Sequence, residues 1–119
     1  LYVAERLKLF HIEPYKTKGV LKMSLMIALI RVNSLVDFES YRAKVPATLE
    51  PYGGEIKFRA KNIITLVDEN ELGGFSQIAL LRFPSQDDMN DWYASDAYQK
   101  LTKLRTSAGS FTMLGFNSQ

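Results

Sequence analysis

Phe75 to Phe83 is a nearly unbroken apolar run, bounded by Gly73-Gly74 before it and Pro84 after it. A run this short, with apolar residues at consecutive positions, suits a strand covered on both faces. Ser85 and Asp88 follow at once in a capping-box pattern, and Met89, Trp92 and Tyr93 then form the inward face of an amphipathic helix. Met26 to Val32 is a second run of the same character, ended by Asn33-Ser34. Ser34 with Asp37 repeats the cap, and Phe38, Tyr41, Val45, Leu49 and Tyr52 recur at helical spacing. Two doubly covered strands, each feeding a capped helix, leave few folds open and name no reaction.

The rest of the chain fills in around them. Pro46 predicts a kink, or a fresh helical turn, because it lacks a backbone donor and crowds the preceding turn. Gly53-Gly54 suits a left-handed helix end. Glu55 to Lys61 alternates, with Ile56, Phe58 and Ala60 on one side, and Ile63 to Val67 reads as a resumed strand after a bulge or turn near Lys61-Asn62. Asp68 to Gly74 is an acidic loop. After Trp92, Ser95-Asp96 restarts a helical turn that continues through Tyr98, Leu101 and Leu104, and Ser110 to Phe116 is a last strand at a sheet edge. The order strand, helix, strand, strand, helix, strand is that of a four-stranded antiparallel, ferredoxin-like sheet with its first and third strands central. Helices on one face would leave the other face of those central strands bare. A second copy of the chain is the expected cover, giving a homodimer.

Charge and composition exclude more than they assign. The 119 residues have a pI of about 8.9, but the excess is local. Residues 1 to 22 carry five basic and two acidic groups, whereas residues 23 to 119 carry ten basic and eleven acidic ones. The body is not basic, and no nucleic-acid partner is expected. It has no cysteine, and the single histidine, His11, lies in the first segment. Thiol, Cys/His and histidine general-base chemistry are therefore excluded from the body. No stretch approaches the length of a membrane span, and the expected location is the bacterial cytoplasm. Asp87, Asp88 and Asp91 could suggest a divalent metal, but they sit where a helix dipole favours carboxylates, so neither metal nor cofactor is expected. Residues 1 to 22 read as an appendage to a single domain at 23 to 119. Lys18-Gly19-Val20 can be encoded by codons containing the ribosome-binding string AAGGAG, which makes Met23 the expected natural start; a genuine N-terminal helix packing on a partner is the alternative.

Several of these residues together also resemble a known family. Tyr41-Arg42-Ala43-Lys44-Val45-Pro46-Ala47-Thr48, Tyr52-Gly53-Gly54, Phe83-Pro84-Ser85 and Trp92-Tyr93-Ala94-Ser95-Asp96-Ala97-Tyr98, with Arg105 beyond, resemble the domain-of-unknown-function 1330 family (DUF1330) across residues 24 to 116. The resemblance implies an α+β, ferredoxin-like fold of the dimeric α+β barrel superfamily, which includes cofactor-free monooxygenases, isomerases and haem enzymes. It implies no reaction. The family's usual Arg-Gly-Gly is here Arg59-Ala60-Lys61, and the loop from Asp68 to Gly74 lacks the family's tryptophan. Arg59 carries over; the freedom of the glycines and any stacking on that tryptophan do not.

The candidate ligand-binding residues are Tyr41, Tyr52, Arg59, Trp92, Tyr93 and Arg105. The aromatic ones would line a pocket between helices and sheet, although the same spacing describes plain core. Arg59 and then Arg105 are the expected holders of a carboxylate. Arg31 and Arg82, in otherwise apolar strands, need a partner or a place at the rim. Two functions stay open: a dimer that binds a small organic acid, with or without a cofactor-independent reaction, and a non-catalytic structural or regulatory dimer.

Overall fold

Strand β1 (Ser24–Val32) alternates between buried and partly exposed residues as far as Ile30, because it runs through the centre of a sheet whose one face is packed by helices. In the computed structural model, which describes residues 23–118, α1 (Leu35–Leu49) follows, then a 3-10 turn (Glu50–Tyr52), β2 (Glu55–Lys61) and β3 (Gln77–Phe83). Three short helices, α2 (Gln86–Ala94), α3 (Asp96–Gln99) and α4 (Thr102–Ala108), lead into β4 (Gly109–Asn117). The strands lie in the order β2-β3-β1-β4, all pairs antiparallel. This is the ferredoxin-like, split-βαβ arrangement, with β1 and β3 central as the sequence predicts. Expectations for residues 1 to 22 lie outside the described residues.

The caps act as read. Ser34 and Ser85 are extended and accept hydrogen bonds from the Asp37 and Asp88 backbone N–H groups at 3.2 and 3.0 Å. Ser95 does the same for Tyr98 and so restarts the helix as α3. Pro46 does not divide α1, which continues past it to Leu49 before tightening into the 3-10 turn. That turn ends at Gly53 with φ +67°, the left-handed conformation that favours glycine.

The helices cover the face carrying Met26, Ala28 and Ile30 of β1, Leu81 and Phe83 of β3, and Phe111 and Met113 of β4. Against them pack Phe38, Tyr41, Val45 and Leu49 from α1 and Trp92 and Tyr98 from the later helices. Trp92 is buried to 1% exposure, and its Nε1 donates to Thr48 Oγ1 at 2.9 Å, so burial of the indole leaves no unpaired donor. The opposite face presents Leu25, Ile27 and Leu29 of β1 across from Leu80 and Leu114. Phe58 and Phe116 extend that face and are 57% and 46% exposed.

Three local expectations are corrected. Ile56, Phe58 and Ala60 do not share a face: a register shift between Ile56 and Phe58 opposite β3 turns Ile56 toward the helices and Phe58 toward the open side. Ile63 to Val67 is not a strand. Asn62 takes φ +58°, and β3 is already fully paired at Gln77, so residues 63 to 67 have no partner edge. Tyr93 is not an inward-facing neighbour of Trp92 but is 43% exposed.

The acidic loop is ordered by its own groups. Asp68 accepts hydrogen bonds from the backbone N–H groups of Leu72 and Gly73, both at 2.8 Å. Arg31 crosses from β1 to donate to the Gly73 and Leu72 carbonyls, with its guanidinium carbon 5.3 Å from the Phe75 ring centre. That is the partner an arginine in an apolar strand requires. Arg82 lies opposite Glu55 on the open face.

Candidate functional site

Two depressions open between the helices and the sheet, and they share the walls Met26, Trp92, Phe111 and Met113. The first lies between α1 and the sheet. Tyr41, Phe38 and Trp92 line it, with Arg42 and Arg59 among its polar residues. Its free volume is only about 60 Å³, room for about two waters at ~30 Å³ each. The second lies between α2 and β4, with Met89, Asn90, Trp92 and Tyr93 on the helical side and Arg105 of α4 beside them; its volume is about 400 Å³. Small-molecule sites usually begin near roughly 300 Å³, so only the second has room for an organic ligand.

The sequence candidates therefore divide. Tyr41, Arg59 and Trp92 belong to the narrow cleft, while Trp92, Tyr93 and Arg105 meet in the wide groove. Tyr52 lines neither; it sits at the end of the 3-10 turn and packs partly buried against the core. The rings of Tyr41, Tyr98, Trp92 and Tyr93 form a contiguous set, with Trp92 and Tyr98 centred 4.4 Å apart and Tyr98 and Tyr93 5.4 Å apart.

A hydrogen-bonded chain joins the two depressions. Arg105 Nη1 donates to Tyr98 Oη at 3.0 Å, and Tyr98 Oη is 2.8 Å from Tyr41 Oη. Tyr98 is fully buried, so this chain carries polarity through the core without an unpaired hydroxyl. Burial, and then the adjacent Tyr98 hydroxyl, push the Tyr41 phenol far above its ordinary range. Desolvation works against the Arg105 charge, but the hydrogen bond to Tyr98 and the nearby Tyr93 hydroxyl outweigh it and raise its pKa. The guanidinium carbon lies 5.9 and 5.8 Å from the Tyr93 and Tyr98 ring centres.

Among the described residues, Arg105 has no carboxylate partner. The ion pairs among the described residues are Arg42 with Glu39 and Lys57 with Glu55. Arg105 is thus a fixed cation at the edge of an apolar groove, held by phenols that use only part of its donor capacity. Trp92 Nε1 is committed to Thr48, which leaves Asn90, Tyr93 and Arg105 as the groove's polar residues available to a ligand.

Sequence reading missed the contribution of sulfur. Met26, Met89 and Met113 all line the groove, one from each of three elements, and no spacing rule brings them together before the register is known. It also counted Tyr98 among the clustered aromatics without reading its bond to Arg105, seven residues further on. Arg42 escaped notice because its neighbour on the cleft, Arg59, comes from a different element.

The same fold occurs in solved structures of diverse description. A protein of unknown function from Rhodopseudomonas palustris is 13% identical, with 83% of this chain and 84% of that one covered and a TM-score of 0.66. A hydroxynitrile lyase from Passiflora edulis is 17% identical over 83% and 95% of the two chains, with a TM-score of 0.63. SnoaB, a cofactor-independent oxygenase from Streptomyces nogalater, is 14% identical over 82% and 94%, with a TM-score of 0.60. Identities this low show likeness of fold alone. A search of curated proteins gives no match. Family membership rests instead on the sequence that builds the sheet, both depressions and the Arg105 chain: residues 23–116 match the model described as Domain of unknown function (DUF1330), and the chain belongs to that family.

Proposed function

We propose that the chain binds a small organic carboxylate in the groove between α2 and β4, with Arg105 holding the anion and Trp92, Tyr93, Phe111 and the methionines forming the wall for its apolar body. The observation that carries this reading is a partly desolvated guanidinium, oriented by Tyr98 and without a carboxylate partner among the described residues, at the edge of a groove of about 400 Å³. Arg59 is the second candidate. It stands at a cleft too narrow for an organic body, so volume favours Arg105 over the order the sequence suggested. The cofactor-independent oxygenase lends this fold a precedent for chemistry without a bound cofactor. The groups at hand for any such reaction are the Tyr93 hydroxyl and the ligand's own carboxylate.

The functional unit in this proposal is a homodimer joined through the open sheet face, whose apolar residues a second copy would cover. A non-catalytic dimer is the competing reading, and the nearly filled cleft beside Tyr41 is what favours it.

Calorimetric titration with a panel of aromatic and aliphatic carboxylates tests the binding claim. Loss of one charge-assisted contact costs roughly 1.5 to 3 kcal/mol, so Arg105→Ala should weaken binding about ten- to a hundredfold. Arg59→Ala should leave it within about twofold by the same scale. Unchanged affinity in Arg105→Ala would overturn the assignment, and no carboxylate binding at all would favour the non-catalytic dimer.

A further inference from the structure

Beyond Met89 the groove continues into a second hollow of about 270 Å³, lined by Gln86, Met89, Asn90, Gly115, Phe116 and Asn117. The two spaces share Met89, Asn90 and Gly115, so they are compartments of one trough along β4. Their partition is the Met89 side chain lying across Gly115. A Cβ at residue 115 would come within 2.7 Å of the Met89 sulfur, so only glycine lets the thioether lie there. An unbranched thioether is also the apolar side chain that moves aside at least cost.

The far compartment differs chemically from the near one. None of the described residues lining it is charged. Its amides are oriented from beneath: the Ser24 hydroxyl, 1% exposed, donates to Asn117 Oδ1 at 2.6 Å, and Asn117 Nδ2 donates to Gln86 Oε1 at 3.0 Å. Each amide oxygen thereby already accepts one hydrogen bond, and N–H donors of Gln86 and Asn117 remain for a visitor. An uncharged oxygen acceptor suits that end, whereas a second carboxylate would find no cation there. Resting on the carboxylate reading of Arg105, we infer that the trough takes an elongated ligand, anionic at the Arg105 end and bearing a neutral hydroxyl or carbonyl at the Gln86–Asn117 end, with Met89 setting the length and bulk admitted between them.

The span is short enough for one molecule. Gln86 and Tyr93 are seven residues apart on α2, about 10 Å along the axis, which a chain of about ten carbons bridges. Benzoate, decanoate and 10-hydroxydecanoate are the probes, titrated into the full chain and into Arg105→Ala, Gln86→Leu and Met89→Ala. Gln86 is exposed, so its replacement leaves the core intact. The preference for 10-hydroxydecanoate over decanoate should fall about fivefold in Gln86→Leu, the value of one neutral hydrogen bond, while benzoate binding stays unchanged. Met89→Ala should tighten both ten-carbon acids relative to benzoate. If benzoate binding depends on Arg105 but the hydroxyl preference is the same with and without Gln86, the far compartment is wrong and the carboxylate site stands. If no acid binds, or binding ignores Arg105, both readings fail together.

Discussion

Tyr41 shows how much a single hydroxyl can report. Its phenol is buried against Phe111 and bonded to Tyr98, and both surroundings disfavour the charged form. Below pH 10.0, the ordinary tyrosine value, Tyr41 is protonated whether the chain is folded or not, and its contribution to stability is complete. As pH rises above that value the unfolded chain loses the proton and the folded chain keeps it, so stability drops. The melting temperature of the wild type should fall more steeply above pH 10 than that of Tyr41→Phe; parallel curves would show that the phenol ionises as easily inside as outside. Arg105 was legible as a candidate only through the family resemblance, arginine being suited to hold an anion. Its true partner was not, since the Tyr98 hydroxyl reaches it only after Ser95 breaks the helix and restarts it. Tyr52 shows the reverse limit: helical spacing placed it with Tyr41, but the 3-10 turn after Leu49 changes the pitch and carries it away from the site.

Elements were most legible where local chemistry decides them. Ser34, Ser85 and Ser95 each cap a helix because a hydroxyl three residues before a backbone N–H needs no tertiary context to bond it. Ser85 is the most informative of the three, since its hydroxyl also donates to Asp88 Oδ2 at 2.8 Å and α2 carries one whole side of the proposed groove. Ser85→Ala should cost about 1 kcal/mol of stability, visible as a melting shift of about 4 °C at this chain length. No shift would mean that packing of Trp92 alone fixes the helix start. Strand phase was less legible. The alternation from Glu55 to Lys61 is regular in sequence, yet the register slip beyond Ile56 is imposed by β3, and no property of β2 announces it. Ile63 to Val67 has strand-forming residues and lacks only an edge to pair with, which is a fact about β3 as well.

Among the described residues no element packs on the second sheet face, and the proposed assembly of the whole molecule follows from this. Leu25, Ile27, Leu29, Leu80, Phe58, Leu114 and Phe116 lie on that face, so sedimentation at micromolar concentration should give twice the chain mass, and Phe116→Asp should shift it toward the monomer. A monomeric wild type would remove the dimer from the proposal. The strand order has a further consequence, for synthesis rather than for binding. Cut at the loop after β2, the chain falls into a first half with β1, α1 and β2 and a second with β3, the short helices and β4. In the order β2-β3-β1-β4 every neighbouring pair joins one strand from each half, and among the described residues no ladder lies within either. The nascent first half therefore has no sheet to form while the second is still being made, and it must wait on the ribosome as α1 and two unpaired strands. Produced separately, residues 1–66 and 67–119 should each lack sheet structure, and mixing them should restore the circular dichroism of the intact chain; a first half that is sheet-rich by itself would show pairing this order does not contain.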